Sequence, residues 1–303
     1  NRVMWNDLST QANCRTLTAK NWNQFGPATG SQACGETGPG RMLEARELQQ
    51  QLEDCFESGE LQGLKLVVTA GPTYEAIDPV RYIGNRSSGR MGYAIAKAAV
   101  EAGASVTLIS GPSHLQKPES LNFIAVESAE EMLQAVLSSL EQCHIFISTA
   151  AVSDYRVKNA ATQKIKKTQD ELTLHLVKNT DIVSTVASHH LRPFVVGFAA
   201  ETENLVKNAR KKLIRKNLDM IAANDVSASA FGKTDIGFNS EYNALHVLWR
   251  KQGQTDNSQN NTTMAIDEHK FDITGKSLLA KQLISLIAKQ YRNSNKQNAQ
   301  NTA

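Results

Sequence analysis

The chain has 303 residues, of which 41% are hydrophobic and 21% charged, and its formal net charge is +3. This length can bury a full core, and so small a net charge gives no argument for a nucleic-acid partner. No run of about 18 apolar residues occurs, which excludes a membrane-spanning helix. The four cysteines (Cys14, Cys34, Cys55 and Cys143) lack metal-binding spacing. With no apolar signal segment in NRVMWNDLST, they favour a reducing, cytoplasmic location, and the missing initial Met suggests a start inside a longer protein.

Strands and helices are predicted to alternate from residue 64 onward. Before that point, residues 1 to about 48 are polar and weakly periodic, and ARELQQQLEDCFESG predicts a helix. The predicted strands are LKLVVTAG, SVTLISGP, LNFIAVES, HIFISTAAV, PFVVGFAAET, LDMIAAN and NALHVLWR. The predicted helices are SSGRMGYAIAKAAVEAGA, EEMLQAVLSSL, DIVSTVASHH, ENLVKNARKKLIRKN and TGKSLLAKQLISLIAKQYR. This alternation predicts a Rossmann-like, three-layer α/β/α fold with a mostly parallel sheet, a mobile loop over 253–264 and a disordered tail after Arg292.

The stretch RYIGNRSSGRMG places a Ser-Ser-Gly turn directly before a helix. Free backbone N–H groups at a helix start favour an anion, so Ser87–Gly89 is a candidate phosphate site. Arg81 and Asn85 add a guanidinium and an amide beside it. The alternative is a plain serine N-cap. A Walker A loop is excluded, because Arg90 and Met91 stand where that motif needs Lys and Ser or Thr.

The stretch STAAVSDYR ends the fourth predicted strand. Its hydroxyls and backbone amides could bind a nucleotide, and Asp154 could bind a ribose or a metal ion. The alternative is an Asx turn. Tyr155 and Lys158 are one residue too close for the Tyr-x-x-x-Lys pair of short-chain dehydrogenases, which counts against hydride transfer.

Two lysine-rich segments follow. KIKK, Lys164–Lys167, lies in a polar loop and predicts either a solvated strand edge or a group that neutralises a leaving phosphate. Lys212 and Lys216 are four residues apart on a predicted helix, and their shared face is either solvated or a clamp for a triphosphate. TGKS, Thr274–Ser277, resembles the end of a P-loop, but the first glycine of that motif would fall at Lys270, so we reject it.

A close resemblance to the phosphopantothenate–cysteine ligase domain of bacterial bifunctional coenzyme A biosynthesis flavoproteins covers Leu64 to about Tyr291. The motifs that carry it are GPTYEAIDPVRYIGNRSSGRMG, STAAVSDYR, KIKK, VVGFAAET, IRKNLDMIAANDV and GFNSEYNALHVLW. NRVMW and FGPATGSQACGETGPGRM are similar to the end of the family's flavin-dependent decarboxylase half. The resemblance implies four parts: a decarboxylase fragment at 1–48, a linker helix at 49–63, the ligase domain at 64–292 and a disordered tail at 293–303.

The resemblance implies a reaction. CTP activates 4′-phosphopantothenate as an acyl-cytidylate, and cysteine then gives phosphopantothenoylcysteine, CMP and pyrophosphate. It implies Mg²⁺ on the CTP phosphates rather than a protein-built metal site, and a homodimer whose second subunit completes the phosphopantothenate half-site. No nucleic-acid or membrane partner is expected, and CTP is preferred over ATP only because the fused arrangement is bacterial. FMN and decarboxylation are expected only in a longer parent, since the flavin core and catalytic histidine would lie before Asn1; the fragment should bind FMN poorly.

The resemblance also implies residue roles. Asn85 is needed in the second step, in which the acyl-cytidylate intermediate is consumed. Cys34 is the proton donor of the decarboxylase. The implied catalytic residues are Asn85, Lys164, Arg81 and Cys34. The implied nucleotide-binding residues are Ser148, Thr149, Ala150, Asp154, Lys164, Thr180, Asp181, Ile182, Val183, Phe198, Lys212 and Lys216. The implied substrate-binding residues are Arg81, Asn85, Ser87, Ser88 and Gly89, with Asn1 for the decarboxylase substrate.

Two alternatives from other classes remain open. A nucleotide-sugar or dinucleotide reductase is disfavoured because the chain lacks G-x-G-x-x-G and Tyr-x-x-x-Lys. A non-catalytic nucleotide sensor or scaffold protein predicts ligand binding without turnover.

Overall fold

The computed structural model describes residues 1–20, 22–32, 35–54, 59–166, 171–201, 203–225, 240–256 and 263–301. The chain forms two compact units, Asn1–Ser58 and Gly59–Ala303. Among the predicted features, Cys34, Lys167 and the first three residues of the GFNSEYNALHVLW motif lie outside the described residues.

The first unit consists of short helices and one hairpin. Its helices begin at polar caps: Asn1 Oδ1 accepts a hydrogen bond from Val3 N at 2.9 Å, and Asp7 Oδ1 accepts one from Ser9 N at 2.9 Å. Its elements are α1 (Arg2–Trp5), α2 (Leu8–Ala19), β1 (Ala28–Ser31), β2 (Thr37–Arg41) and α3 (Ala45–Asp54). The two strands pair antiparallel.

The second unit contains an eight-stranded sheet. In spatial order its strands are β14 (Thr263–Gly275), β13 (Tyr242–Asp256), β12 (Met220–Asp225), β11 (Phe194–Glu201), β8 (Ile145–Ser148), β3 (Lys65–Ala70), β6 (Ser105–Ser110) and β7 (Asn122–Ala125). The six strands from β12 to β7 are parallel, and β13 and β14 form an antiparallel hairpin at one edge. From β3 the chain adds strands first on one side and then, starting with β8, on the other, so the two central strands border a topological switch point.

Helices cover both faces of this sheet, which confirms the predicted three-layer α/β fold. They are α4 (Arg90–Glu101), α5 (Ala129–Ser138), α6 (Ile182–Ala187), α7 (Leu205–Arg215) and α8 (Lys276–Asn301). Two small antiparallel pairs lie outside the sheet, β4 (Tyr74–Ala76) with β5 (Tyr82–Gly84) and β9 (Tyr155–Val157) with β10 (Leu176–Lys178). None of the helices in the described part of the chain is long and apolar enough to cross a bilayer.

The core is divided by the sheet into two clusters. Successive strand side chains point to opposite faces, so Leu66 and Val68 of β3 join the cluster that contains α4 and α8, whereas Val67 joins the cluster that contains α5, α6 and α7. A central strand that is buried on both faces reads as a continuous apolar run, which is why LKLVV was recognisable as a strand.

The structure differs from the predictions at the C-terminal end. Strand β14 was not predicted, and the segment 253–264 is not one loop: β13 continues to Asp256, where it pairs with Thr263 at the start of β14. Backbone pairing in a hairpin needs no apolar periodicity, so composition alone missed it. The tail predicted to be disordered continues α8 as far as Asn301; it contains no Gly or Pro, and Ser294 Oγ donates to Tyr291 O at 2.9 Å.

Candidate functional site

A cleft of about 640 Å³ opens at the C-terminal ends of the parallel strands in the second unit. It is lined by Ser148 at the end of β8, Phe198–Ala200 of β11, Asn224 of β12 and the segments that open α4 and α6. Ligands of open α/β sheets bind at this edge, near the switch point. The volume lies within the range of small-molecule sites, about 300–1,000 Å³.

The Ser-Ser-Gly turn lines this cleft at the start of α4. Gly89 is the N-cap, with φ of +76°, and no side chain caps the helix, so the plain serine N-cap is wrong. Ser87 Oγ instead accepts from Gly89 N at 3.3 Å, within the turn. A left-handed φ favours glycine, and a Cβ at this position would lie 3.3 Å from Gly71 N. The turn that precedes α4 therefore lines the cleft, and the N–H groups of the first turn of the helix follow it directly.

Gly92 fixes how closely α4 approaches the sheet. A Cβ at Gly92 would lie 2.4 Å from Thr149 Oγ1 and 2.6 Å from Ala70 Cβ. Thr149 follows β8 and Ala70 ends β3, so the absence of a side chain lets the helix meet both central strand ends. Thr149 Oγ1 in turn donates to Thr69 O. The turn and the strand ends consequently form adjacent walls of one cleft.

The segment after β8 is held by amides on both sides. Asn85 Nδ2 donates to Val152 O at 2.9 Å, which ties the Ser-Ser-Gly turn to this segment, and the buried Asn179 donates to Ser153 O at 2.8 Å. Asp154 is exposed, and its carboxylate has no hydrogen-bond or ion-pair partner among the described residues, so an Asx turn is not formed. This carboxylate lines the cleft.

Lys212 and Lys216 enter the cleft from the opposite helical layer. They lie on one face of α7, as their spacing predicted, and each has a carboxylate partner: Lys212 Nζ is 2.6 Å from Glu201 Oε1, and Lys216 Nζ is 2.7 Å from Asp181 Oδ2. Burial would raise the pKa of Asp181, but the Lys216 ammonium and the Ser184 N–H together hold that pKa below its usual value. The first ion pair holds the Lys212 ammonium at the end of β11, and the second holds the Lys216 ammonium beside the start of α6, which Asp181 caps.

The cleft is strongly cationic. Among the described residues that line it, seven are Lys or Arg and two are Asp: Arg86, Arg90, Lys178, Lys212, Arg215, Lys216 and Lys276 against Asp154 and Asp181. Such an excess of positive charge in a concave site favours an anionic ligand. Lys178, Lys276, Asn224 and Asn243 also line the cleft and were not predicted from the sequence. Lys276 belongs to the TGKS segment, which we rejected as a P-loop.

Thirteen of the fifteen other candidates in this unit also line the cleft, namely Asn85, Ser87, Ser88, Gly89, Ser148, Thr149, Ala150, Asp154, Thr180, Asp181, Ile182, Val183 and Phe198. The turn and the lysine pair, which were predicted to grip two anionic groups of one ligand set, thus share a single cavity.

Arg81 and Lys164 do not line the cleft of their own chain. Arg81 Nε donates to Asp78 Oδ2 at 3.0 Å and Arg81 Nη2 donates to Ile165 O at 3.1 Å, while Ile165 N donates back to Asp78 Oδ2 at 3.1 Å. The Arg81 guanidinium holds the pKa of Asp78 well below its usual range. Arg81 therefore anchors the loop that carries the exposed Lys164 onto the β4–β5 hairpin.

The decarboxylase candidates lie in the first unit or outside the described residues. Asn1 caps α1, and its backbone nitrogen donates to Gly40 O at 2.8 Å; Cys34 is not described.

The carboxylates of the cleft do not form a metal cage. No group of three or more His, Cys, Asp or Glu side chains could hold a metal ion within the described residues. Of the two carboxylates in the cleft, Asp181 is engaged by Lys216. A divalent cation at this site would consequently depend on oxygen atoms of the ligand, with Asp154 as a single supporting carboxylate.

Fold and site together define a Rossmann-like α/β protein with a cationic, small-molecule-sized cleft at its switch point. The model of the DNA/pantothenate metabolism flavoprotein C-terminal domain family matches residues 61–290. The chain belongs to this family.

Curated relatives carry the name coenzyme A biosynthesis bifunctional protein CoaBC. The protein of Vibrio cholerae is 48% identical over 293 residues, covering 96% of this chain and 68% of that protein. The protein of Escherichia coli K12 is 50% identical over 255 residues, covering 82% of this chain and 62% of that protein. The crystal structure of the C-terminal domain of a protein of the same name superposes with a TM-score of 0.61 at 33% identity, covering 78% of this chain and 99% of that one. The chain thus spans about two thirds of its full-length relatives.

Proposed function

We propose that the second unit is a phosphopantothenate–cysteine ligase of coenzyme A biosynthesis. The observation that carries this proposal is the single cleft that contains the Ser-Ser-Gly turn on one side and the Lys212–Lys216 pair on the other. A ligase of this kind must hold a nucleoside triphosphate and a phosphorylated acid at once, with the carboxyl group of the acid between them. The names of the relatives place them in coenzyme A biosynthesis, which supports this choice of substrates.

On the nucleotide side, the nucleoside of CTP would contact Ser148–Ala150 and Asp154. It would also contact the start of α6 at Thr180–Val183, with Phe198 packed nearby. Lys212 and Lys216 would exchange part of their present ion pairing for the triphosphate. Mg²⁺ bound to the triphosphate would supply further charge neutralisation.

On the acid side, Ser87, Ser88 and Gly89 would hold the phosphate of 4′-phosphopantothenate. A carboxylate oxygen attacks the α-phosphorus of CTP, the α–β bond breaks and pyrophosphate leaves. The amine of cysteine then attacks the acyl carbon, loses a proton to solvent and displaces CMP. Both steps depend on positioning and charge neutralisation more than on a strong base.

The position of Arg81 and Lys164 supports a homodimer in the proposal. Since both residues lie outside the cleft of their own chain, Lys164 would reach the nucleotide phosphates from a second copy, whose hairpin and loop are held together by Asp78 and Arg81. An isologous dimer would exchange two such loops between two clefts.

This arrangement is testable by mixing variants. Lys164→Gln and Lys212→Met should each be at least about tenfold slower alone. A mixture re-associated after dissociation should regain about a quarter of the wild-type rate, because half of the dimers then contain one intact cleft. If the mixture stays as slow as the separate variants while the re-associated wild type recovers, Lys164 does not act across the interface.

The reaction itself is tested by pyrophosphate release. The protein should release pyrophosphate with CTP and 4′-phosphopantothenate, and CMP and amide product should appear only when cysteine is added. The assay with each of the four nucleoside triphosphates determines the nucleotide preference. Tight nucleotide binding without pyrophosphate would instead favour a sensor, and reduction of a nicotinamide cofactor would favour a reductase.

Two variants separate the half-reactions. Lys164→Gln should slow carboxylate activation by about ten- to a thousandfold, on the scale of one lost oxyanion donor; Lys166→Gln, an exposed lysine in the same loop, is the matched control. Asn85→Asp should spare activation and stall the attack by cysteine. Unchanged CTP–pyrophosphate exchange in Lys164→Gln, or equal loss of both steps in Asn85→Asp, would contradict these roles.

For the first unit we propose a fragment of a decarboxylase, at residues 1–48, joined through 49–63 to the ligase at 64–292. Asn1 and Cys34 would then contribute to a flavin-dependent site only in a longer protein. The purified chain should show no flavin absorbance and should not decarboxylate phosphopantothenoylcysteine; a co-purifying flavin band would contradict this. A cytoplasmic location also stays a prediction.

A further inference from the structure

A second group of cations lines the cleft from the other helical layer. Arg90 is the first residue of α4 and Lys276 is the first residue of α8, and both line the cleft. They meet at the start of β13: Arg90 forms an ion pair with Glu241, and Lys276 N donates to Glu241 O at 2.8 Å. Far apart in the chain, these residues are brought together because α4 and α8 pack in the same core cluster.

The two groups of cations are separated by the sheet itself. Lys212, Arg215 and Lys216 belong to α7 and its C-cap, on the face that contains α5, α6 and α7. Arg90 and Lys276 belong to α4 and α8, on the opposite face. A ligand set that spans the ends of the strands therefore meets positive charge at both sides, and the Ser-Ser-Gly turn lies next to Arg90.

Lys276 is unusual because it is a cation that is 7% exposed. Burial, with the Arg90 charge as a second cause, lowers the pKa of Lys276 to about 8. An apolar side chain at the start of α8 would avoid this cost, since the helix otherwise buries Leu279, Leu283 and Ile287. A dianionic ligand would offset the same cost by restoring the charged form.

We infer that Lys276, with Arg90 beside it, binds the phosphate group of the acid substrate and so distinguishes the phosphorylated acid from the free acid. This inference rests on the proposed function, because the proposed function supplies the phosphorylated acid that the Arg90–Lys276 pair would bind. Charge-assisted contacts to phosphate are about twice as strong as neutral ones, so Lys276 adds selectivity that the Ser-Ser-Gly turn alone would lack.

Ligand and protein changes can be combined to test it. In calorimetric titrations of the whole chain, Lys276→Met should weaken the binding of 4′-phosphopantothenate but not that of pantothenate, which lacks the phosphate. We expect the variant to bind the phosphorylated acid about 10- to 100-fold more weakly. Its affinity for pantothenate, measured at higher concentration, should stay within about twofold.

The matched control is Lys281→Met, the same substitution at a lysine further along α8. The Lys281 ammonium forms an ion pair with Glu101 at 2.9 Å and does not line the cleft. It should leave both affinities unchanged. Lys276→Arg keeps a cation in place and should recover part of the selectivity. If Lys276→Met does not fold, the affinities of Lys276→Arg for the two acids are compared with those of the wild type instead.

Proton exchange gives a second readout. Since bound phosphate raises the pKa of Lys276 above its free value of about 8, binding near pH 8.5 should take up a proton. Titrations in buffers of different ionisation enthalpy measure this uptake, which Lys276→Met should reduce.

Each outcome decides the inference. If Lys276→Met loses affinity for both acids equally, Lys276 contacts the carboxylate or supports folding. If it loses affinity for CTP alone, Lys276 contacts the triphosphate. Either result overturns the assignment of Lys276 to the phosphate of the acid. Phosphate selectivity that depends on Lys276 in a protein that releases no pyrophosphate would retain the inference and refute the ligase. If the wild-type chain does not prefer the phosphorylated acid at all, the inference is wrong even if turnover is observed.

Discussion

Gly92→Ala is the most direct test of how α4 is placed against the strand ends. The new methyl group would start 2.4 Å from Thr149 Oγ1 and 2.6 Å from Ala70 Cβ. Comfortable contacts of carbon begin at about 3.5 Å, so the helix or the strands must move by about 1 Å. Because these neighbours are a strand-end hydroxyl and a buried alanine, neither can swing away as the end of a long side chain would.

Two opposing terms set the change in stability. Overpacking of this kind costs about 1–3 kcal/mol, whereas Ala is favoured over Gly within a helix by about 1 kcal/mol. The free energy of unfolding should fall by about 0–2 kcal/mol, which lowers the midpoint of thermal unfolding by no more than about 8 °C. The effect on turnover should be larger, since a displacement of about 1 Å at a reacting group can cost about a hundredfold.

Pyrophosphate release measured well below the unfolding midpoint separates the two effects. A second variant, Gly92→Ala with Ala70→Gly, removes one of the two clashing atoms and should recover part of both losses, with a coupling of about 0.5–3 kcal/mol. Wild-type turnover and an unchanged midpoint in Gly92→Ala would refute the reasoning, because they would show that the close approach of α4 is not needed.

Two further predictions concern ion pairs near the site. Asp78→Asn should release the Lys164 loop, since Asp78 accepts from both Arg81 and Ile165 N; hydrogen exchange at Ile165 should become faster, and the exposed Asp272→Asn should leave it unchanged. In Lys216→Met, the pKa of Asp181 should rise toward its ordinary value, because the ammonium that lowers it is lost. A carboxyl with a lowered pKa stabilises the fold above its unfolded pKa and loses that contribution as the pH falls, so wild-type stability should drop more than that of the variant between about pH 6 and pH 3, by up to about 1 kcal/mol in urea unfolding. Equal acid dependence in the two proteins would rule out this linkage.

Much of the fold could be predicted because its signals are local. The run LKLVV is buried on both faces, so its apolar continuity predicts a central strand. The start of α5 has a local signal of its own, because Ser128 and Glu131 have the spacing of a capping box. Ser128 Oγ accepts from Glu131 N at 3.2 Å, although the Glu131 carboxylate accepts from Glu127 N rather than from Ser128 N. The spacing of Lys212 and Lys216 predicted their shared face correctly, because four residues are about one helical turn.

Other features depend on contacts between distant segments and could not be predicted. Strand β14 forms by backbone pairing with β13, and its pattern of side chains carries little apolar alternation. Arg81 was predicted to lie beside the Ser-Ser-Gly turn because it is close in sequence, but the buried carboxylate of Asp78 draws it to Ile165 instead.

By itself, the sequence determined the order of the parallel strands, the helices that cover them and the turn that opens α4, because burial periodicity and glycine conformation act over a few residues. Only the tertiary structure decided which charges face one cavity. Lys276 lies in the cleft because α8 packs beside α4, and Lys164 lies outside it because its loop is bound to a hairpin. Both placements follow from the packing of distant elements, and no spacing along the chain encodes them.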